Sequence, residues 1–491
     1  MTLRRSFLRG AVNLGTGQVV VQVCSFVRSV ILARLISPKD FGIAAIFAMT
    51  FSLLEMVSNL SVQSLVVQAS DGDDPLFQET GQSLLVIRGI ANAALLSLLA
   101  APLSYLFGVP EARWAFYWVA AIPLLRAFCH LDVNRIQRNM QFTPQIKVDV
   151  ISNVGVTLLA WPLASWLHSY AAMLWLLLVQ AAIYAVGTHC VAERRYRWSF
   201  HRDYARRFFS FGWPLLINGL LMYGIFQGDR FVIGISHRLF PNSTYTLADL
   251  GVYSVAFAVT MAPSQFFVNL SSSLFLPILS RAQGEKEQFA RRYVACAYLV
   301  SSAALIIAIP FIVAGRLIVP FVYGPKYAAA GAVVAWLGAM WALRVFRAAP
   351  TLAAMALGDT RNAMISNLVR TTAIVGILVV ARNGGSLSSV ALCGFAGEVL
   401  ASIVCLGRLS VKHQLSPVLL LRPAAVCATG MALAALSTLG SLGLPTAIGT
   451  VMSLLALCAG TMLLCSPELR QYLWGMLGIS ERFAAGEGTA I

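Results

Sequence analysis

Runs of about 20 almost wholly apolar residues recur along the entire chain, near 10–33, 41–67, 81–107, 114–134, 148–168, 171–191, 211–235, 250–276, 293–315, 330–356, 363–381, 388–407, 421–441 and 445–465. A helix of ~20 residues crosses the hydrocarbon core of a bilayer, where every backbone N–H and C=O must find its partner within the protein. The fourteen runs therefore predict fourteen transmembrane helices in an all-α integral membrane protein. The make-up of the 491 residues agrees, with 58% hydrophobic, 11% charged and a mean hydropathy of +0.75. Connections between the runs are too short for separate folded domains, so the activity must lie within the bilayer, which disfavours most enzymes. The basic opening MTLRRSFLRG leads into a span-length run without a small-residue cleavage site, which predicts a retained first helix. Nine cysteines are scattered through apolar spans, Cys24, Cys129, Cys296, Cys427 and Cys458 among them. Their spacing predicts small core residues rather than disulfides or a metal site, and no cofactor is expected.

A net charge of +16 reads here as topology. With fourteen spans, Arg4, Arg5 and Arg9, the linker ERRYRWSFHRDYARR (Glu193 to Arg207), and Arg281, Lys286, Arg291 and Arg292 fall on one side, with Arg135, Arg138, Lys147, Arg361, Arg408, Lys412, Arg422, Arg470 and Arg482. The excess of Lys and Arg on that side predicts cytoplasmic N- and C-termini. One acidic loop, SDGDDPLFQE (Ser70 to Glu79), is assigned to the same side, since Asp and Glu weigh little in that rule.

The chain also contains an internal repeat. Displaced by 202 residues, GAVNLGTGQVVVQVCSFVRSVI (Gly10 to Ile31) falls on GWPLLINGLLMYGIFQGDRFVI (Gly212 to Ile233), pairing Gly17 with Gly219 and Arg28 with Arg230. After a seven-residue insertion, Asp40 and Gly42 fall on Asp249 and Gly251, and LFGVPE (Leu106 to Glu111) is echoed by FVYGPKY (Phe321 to Tyr327). Six spans separate the copies, so both halves enter the membrane the same way up and are related by an axis along the membrane normal. This predicts an N-lobe over 1–192, a basic cytoplasmic linker over 193–210, a C-lobe over 211–410, and a final pair of helices with a tail over 411–491.

Charges inside the spans are the candidate site. Arg28 and Arg230 sit at matched depth, and an arginine facing lipid costs ~2.5 kcal/mol or more at mid-membrane. Either a shared wet cavity or snorkelling to the headgroups would relieve that cost; recurrence at the repeat position favours the cavity. Arg344 and Arg347 share a helical face suited to an anion, or to pairing with Asp229 or Glu398. Arg88 adds a further cavity candidate. Asp229 and Glu398 are candidates for proton coupling or for counter-ions, and Arg126 and Asp132 read as interfacial or paired. Pro162, Pro214, Pro263, Pro310 and Pro350 interrupt spans and predict kinks. Trp114, Trp118, Trp161, Trp166 and Trp175 read as an interfacial belt.

FVRSVILARLISPKDFG (Phe26 to Gly42), NRIQRNMQFTPQIKVDV (Asn134 to Val150), GDRFVIG (Gly228 to Gly234), DLGVYSVAF followed by SSSLFLPILSR (Ser271 to Arg281), and LGDTRN (Leu357 to Asn362) together resemble the Wzx-type polysaccharide flippases. Their superfamily also holds the multidrug and toxin extrusion transporters and the lipid II flippase. The resemblance covers nearly the whole chain. It implies two six-helix lobes around a V-shaped cavity, two extra C-terminal helices, and alternating-access transfer of undecaprenyl-pyrophosphate-linked oligosaccharide across the bacterial inner membrane. Surface polysaccharide, whether exopolysaccharide, O-antigen or capsule, would be the product, with polymerase or export machinery as partners and no nucleic acid. Arg28 matches a cavity arginine of the lipid II flippase, whereas Ser29 replaces the adjoining aspartate. A second arginine of that protein has no counterpart around Val255 to Pro263, which argues against the peptidoglycan flippase itself. A multidrug or cation antiporter is the main rival and should show more cavity carboxylates. A membrane glycosyltransferase, polymerase or ligase would need a larger outer loop than SHRLFPNSTYTLAD, and a non-enzyme is expected.

Overall fold

A computed structural model describes residues 2–438 and 443–465, with side chains described over 15–438 and 443–462. The side chains of Arg4, Arg5 and Arg9, and the tail residues Arg470 and Arg482, lie outside that range. Contacts group the described chain into two compact units. One runs to Val255 and includes Leu378–Gly385; the other comprises Ala256–Ile377 and the described residues from Ser386 onward.

The first unit contains α1 (Thr2–Leu35), α2 (Pro38–Val57), α3 (Val62–Gln68), α4 (Pro75–Leu106), α5 (Arg113–Val119), α6 (Ala121–Ala127), α7 (Asp132–Arg138), α8 (Thr143–Leu167), α9 (Ala171–Val191), α10 (Arg202–Leu239) and the start of α11 (Leu247–Ser280). In the second unit α11 ends and is followed by α12 (Lys286–Tyr323), α13 (Ala330–Ala356), α14 (Thr360–Thr371), the first half of α15 (Ala373–Arg382), α16 (Leu387–His413), α17 (Pro417–Ser437) and α18 (Leu444–Cys465). Thirteen of these helices or helix pairs are long and apolar enough to cross a membrane, and fourteen if the bent α5–α7 segment counts as one span. The protein is an all-helical, multi-pass membrane protein, as its hydropathy predicts.

Helix starts follow local chemistry. Ser37 caps α2 by accepting the Asp40 N–H at 3.0 Å, with Pro38 in the first turn, where a missing N–H costs nothing. Asp74 does the same for α4 through Leu76 N–H at 2.9 Å, ahead of Pro75. All five prolines singled out above lie inside helices.

The predicted span 363–381 is interrupted by a turn at Thr372 between α14 and α15, and two other predicted spans differ more from the observed helices. The run 41–67 stops at Val57 and resumes as the short α3, because Ser58 turns its hydroxyl to the Leu54 carbonyl, Asn59 accepts the Ser61 N–H, and Ser61 takes a left-handed φ of 51°. The run 114–134 is three short helices, with a 49° bend between Pro110–Ala127 and Asp132–Arg138. The bend falls where Asp132 N–H bonds the His130 ring instead of continuing the helix.

In the first unit α1 packs on α8 and α8 on α9, around Leu32, Val156, Ala160 and Leu176, while α10 packs on α2 and α4. Gly212 and Gly219 permit the second approach, since a Cβ there would overlap the backbone of Leu60 and Met56. The start of α11 meets the start of α2 reciprocally. A Cβ on Gly42 would collide with the Leu247 carbonyl, and one on Gly251 with the Pro38 carbonyl. Gly42 and Gly251 are repeat-matched, and so are Pro38 and Leu247. Residue i touches j′ while j touches i′, the signature of a two-fold relation. In the second unit α12 and α13 form the core with Phe289, Tyr293, Tyr298 and Phe346; α17 and α18 pack on α12.

Candidate functional site

A cavity of about 360 Å³ lies within the first unit, and its lining is mostly polar. Its size falls in the ~300–1,000 Å³ range of small-molecule sites. Arg88 on α4 donates through Nη2 to Glu55 on α2 at 3.1 Å and through Nε to Ser58 Oγ at 3.1 Å. Asn92, one turn on, donates to the same hydroxyl at 2.8 Å. The break after α2 thus places a hydroxyl where two α4 side chains can reach it. Gly89 lets α6 close on α4, since a Cβ there would overlap Ala127 and the Pro123 carbonyl. The opposite wall carries Asp149 and Asn153 on α8 with Gln180 and Tyr184 on α9, and Gln180 Nε2 donates to Asn153 Oδ1 at 3.1 Å. Arg126 also lines the cavity and lies 5.0 Å from the Phe51 ring centroid. Glu55 is neutralised by Arg88, whereas no ion pair joins Asp149 among the described residues.

Arg28 and Arg230 stand on other helices of this unit. Arg28 is half-buried on α1, and its Nη1 is buried without a hydrogen-bond partner among the described residues. Val19, Val23 and Val27 on the same helix are exposed. Arg230 on α10 donates through Nη2 to the Phe226 carbonyl at 2.9 Å. Asp229 is 7% exposed; it accepts the Tyr253 hydroxyl at 2.8 Å and the Arg230 backbone N–H at 2.8 Å.

The remaining predicted residues meet in the second unit. Glu398 on α16 accepts Arg347 Nε at 2.6 Å and Arg370 Nε at 3.1 Å, with its side chain 1% exposed. Arg347 also donates to Ser366 Oγ and Asn367 Oδ1, each at 3.2 Å. Arg344 stacks over Trp341, 5.7 Å from the ring centroid, within electrostatic reach of Glu398. Gly394 and Gly397 make room for the Arg370 guanidinium; a Cβ on Gly397 would overlap Ala373. Arg347 is thus paired with Glu398, one of the two carboxylates proposed for it. Three arginines around one carboxylate leave a surplus of positive charge.

Sequence reading passed over a second recurrence. In the first unit, Asp132 is fully buried after α6. It pairs with Arg135 at 2.5 Å and accepts the N–H groups of Glu193 and Arg194, just past the end of α9. Glu193 closes the knot on Arg135 at 2.6 Å. In the second unit Asp359, 2% exposed after α13, meets Lys412 at 2.9 Å, His413 at 3.6 Å and Arg408 at 3.8 Å, all at the end of α16. Each unit therefore ties the loop after its fourth predicted span to the end of its sixth through one buried aspartate. The acidic loop that dissented from the charge balance is neutralised as well. Asp71 pairs with Arg207 at 2.7 Å, Asp73 with Arg138 at 3.5 Å, and Asp74 accepts the Tyr204 hydroxyl at 2.6 Å. The loop's counter-charges come from Arg207 of the basic linker and from Arg138 on α7.

Thirteen or fourteen apolar spans, an internal repeat and buried clusters of charge define a multi-pass membrane protein. The fold is shared with a solved lipid II flippase, MurJ, in an inward closed conformation, at a TM-score of 0.71 and 12% identity, covering 93% of this chain and 99% of that one. It is also shared with a multidrug-resistance MATE family transporter of the MOP superfamily in an inward-facing conformation, at 0.65 and 13%, covering 83% and 99%. Residues 31–332 match the family described as polysaccharide biosynthesis protein, and the chain belongs to that family. A curated relative, the succinoglycan biosynthesis transport protein ExoT of Rhizobium meliloti (strain 1021), is 25% identical over 321 residues, 65% of this chain. The chain spans 60% of that relative's length. The curated relative is described as a transport protein, and the two solved neighbours as a flippase and a transporter.

Proposed function

We propose that the protein flips undecaprenyl-pyrophosphate-linked oligosaccharide units across the bacterial inner membrane, from the cytoplasmic leaflet to the outer one, for exopolysaccharide assembly. The observation that carries this reading is the excess of arginine over carboxylate inside a flippase-type fold. Arg28 keeps a buried guanidinium nitrogen without a hydrogen-bond partner among the described residues, and Arg230 occupies the repeat-matched position. A planar guanidinium suits the oxygens of a pyrophosphate through paired, charge-assisted bonds. The polyprenyl tail would stay in lipid while the head crosses, so no covalent step is needed. Alternating access would expose Arg28 and Arg230 to each side in turn, with Arg344 and the wall around Arg88 as further contacts. The direction of transport requires either a difference in affinity between the two states or an ion gradient.

The succinoglycan relative supports exopolysaccharide over O-antigen or capsule as the product. Cytoplasmic termini follow from the arginine balance, and polysaccharide polymerase or export machinery is the partner class such a product demands. The test is accumulation of lipid-linked glycan on the cytoplasmic leaflet. Arg28→Ala and Arg230→Ala should each reproduce the deletion phenotype at normal membrane levels. Wild-type export in both would overturn the reading. The rival cation antiporter draws its support from Asp149, a cavity carboxylate without an ion-pair partner among the described residues. Gradient-driven cation efflux in vesicles that is lost in Asp149→Asn, with export unaffected by the arginine variants, would establish it instead.

A further inference from the structure

The segment leaving α9 runs extended along the side of α4, held by a row of side-chain bonds. Arg194 Nη1 donates to Gln78 Oε1 at 3.0 Å, Gln82 Nε2 to Tyr196 Oη at 3.0 Å, and Ser83 Oγ to the Ser199 carbonyl at 2.8 Å. His201 N–H closes the row on Thr80 Oγ1 at 3.2 Å. With Arg194, Tyr196 and Ser199 seated on the helix, Arg195, Arg197, Trp198 and Phe200 are all exposed. A pocket of about 280 Å³ lies here, lined by Gln78, Glu79, His130, Arg194, Arg195 and Arg197. The His130 ring is fixed because Nδ1 accepts the Asp132 N–H at 3.1 Å, which leaves the Nε2 of the neutral ring to carry the proton.

Charge at this pocket is out of balance. The nearby acids are engaged elsewhere, Asp132 and Glu193 on Arg135 and Asp71 on Arg207. Among the described residues no carboxylate lies within ion-pair distance of Arg194, Arg195 or Arg197, and Glu79 is the one carboxylate among the pocket's lining residues, against three arginines. The depth is also informative. The span Ala171–Val191 ends just before this segment, so the pocket opens at the level of the lipid headgroups. Trp198 and Phe200, each 60% exposed, extend the segment with aromatic surface of the kind that settles at a membrane interface.

We propose that this pocket binds the phosphate of an anionic phospholipid in the leaflet where α9 ends, with Arg195 and Arg197 on the phosphate oxygens and Trp198 and Phe200 set in the interface beside it. A guanidinium fork fits a phosphodiester, and basic clusters immediately beyond a transmembrane helix attract anionic lipid. A soluble phosphate would use the arginines but would leave both aromatic rings without a role.

The full-length protein, reconstituted in nanodiscs containing phosphatidylglycerol or cardiolipin and then released for native mass spectrometry, reads the bound lipid directly. Arg195 and Arg197 are exposed, so Arg195→Gln/Arg197→Gln should fold normally. It is expected to lower retained anionic lipid about tenfold or more, with zwitterionic lipid unchanged. Retention equal to wild type overturns the proposal. Displacement of the lipid by millimolar inorganic phosphate or pyrophosphate would assign the pocket to a soluble phosphate and also overturn it. Because binding is measured without transport, failure here is distinct from failure of the flippase reading.

Discussion

Replacing Glu398 with glutamine should destabilise the second unit by about 3 kcal/mol. The carboxylate is almost fully enclosed and takes bonds from two guanidiniums that are each 5% exposed. Removing one partner of a buried ion pair costs ~3–5 kcal/mol because the remaining charge has nowhere to go. Glutamine keeps one carbonyl acceptor, and Arg347 keeps Ser366 and Asn367, so the lower end of that range applies. Arg347→Met should cost less, since Arg370 still neutralises Glu398. The combination Arg347→Met/Arg370→Met/Glu398→Leu replaces the whole ionic knot with apolar volume and should return to within ~1 kcal/mol of wild type. Denaturant unfolding in detergent micelles, followed by tryptophan fluorescence and compared across the four proteins, measures each step. A Glu398→Gln protein as stable as wild type, or an Arg347→Met protein less stable than Glu398→Gln, would refute the counter-ion reasoning.

Other consequences are open to measurement. Gly42→Ala and Gly251→Ala should each lower expression sharply, since the obstructing atom in both cases is a main-chain carbonyl that cannot rotate away; normal expression and melting of either would contradict the reciprocal crossing. Burial alone would raise the Asp359 carboxyl, but Lys412 at 2.9 Å, together with Arg408 and His413, holds it below its ordinary value. A carboxyl depressed in the folded state adds stability above its unfolded value near ~3.9, and that stability is lost as pH falls through the lower folded value. Asp359→Asn should therefore be less stable than wild type at pH 7, by ~1–3 kcal/mol, and the two should converge only below about pH 4. In the polar cavity, Arg88→Ala should impair folding or transport more than Arg88→Ala/Glu55→Gln, because the single change strands Glu55; equal losses would place Arg88 in direct contact with substrate instead.

Hydropathy made the span count and helical class legible, since no other structure satisfies backbone groups across fourteen apolar runs. It overlooked the break at Ser58–Ser61 because apolar residues flank it and a window average runs through, and the bend at Phe128–Leu131 because it falls at the very end of an apolar run. The repeat was legible through Arg28, Gly42 and their partners, and its reciprocal contact is now visible. Pairing of Arg347 with Glu398 stood among the readings, whereas Arg370 joining the same carboxylate could not be read, because 28 residues separate the two in sequence. The Asp132 and Asp359 clamps left a faint trace: each aspartate precedes an Arg-Asn pair, Arg138-Asn139 and Arg361-Asn362. Glu55, Asp149, Asn153 and Gln180 left none. Single polar residues on separate helices carry no spacing rule and become a cavity only when α2, α4, α8 and α9 assemble.

Gly42 and Gly251 have a bearing on ancestry. Each lies against the main chain of the other's turn, through residues that are themselves a matched pair. If the two halves arose by doubling of one gene, the two positions were once a single codon, and the same glycine would have met its own copy across the dyad of a homodimer. In one chain the two sides of such a joint can mutate separately yet must still fit each other, so substitution at either position is constrained by both.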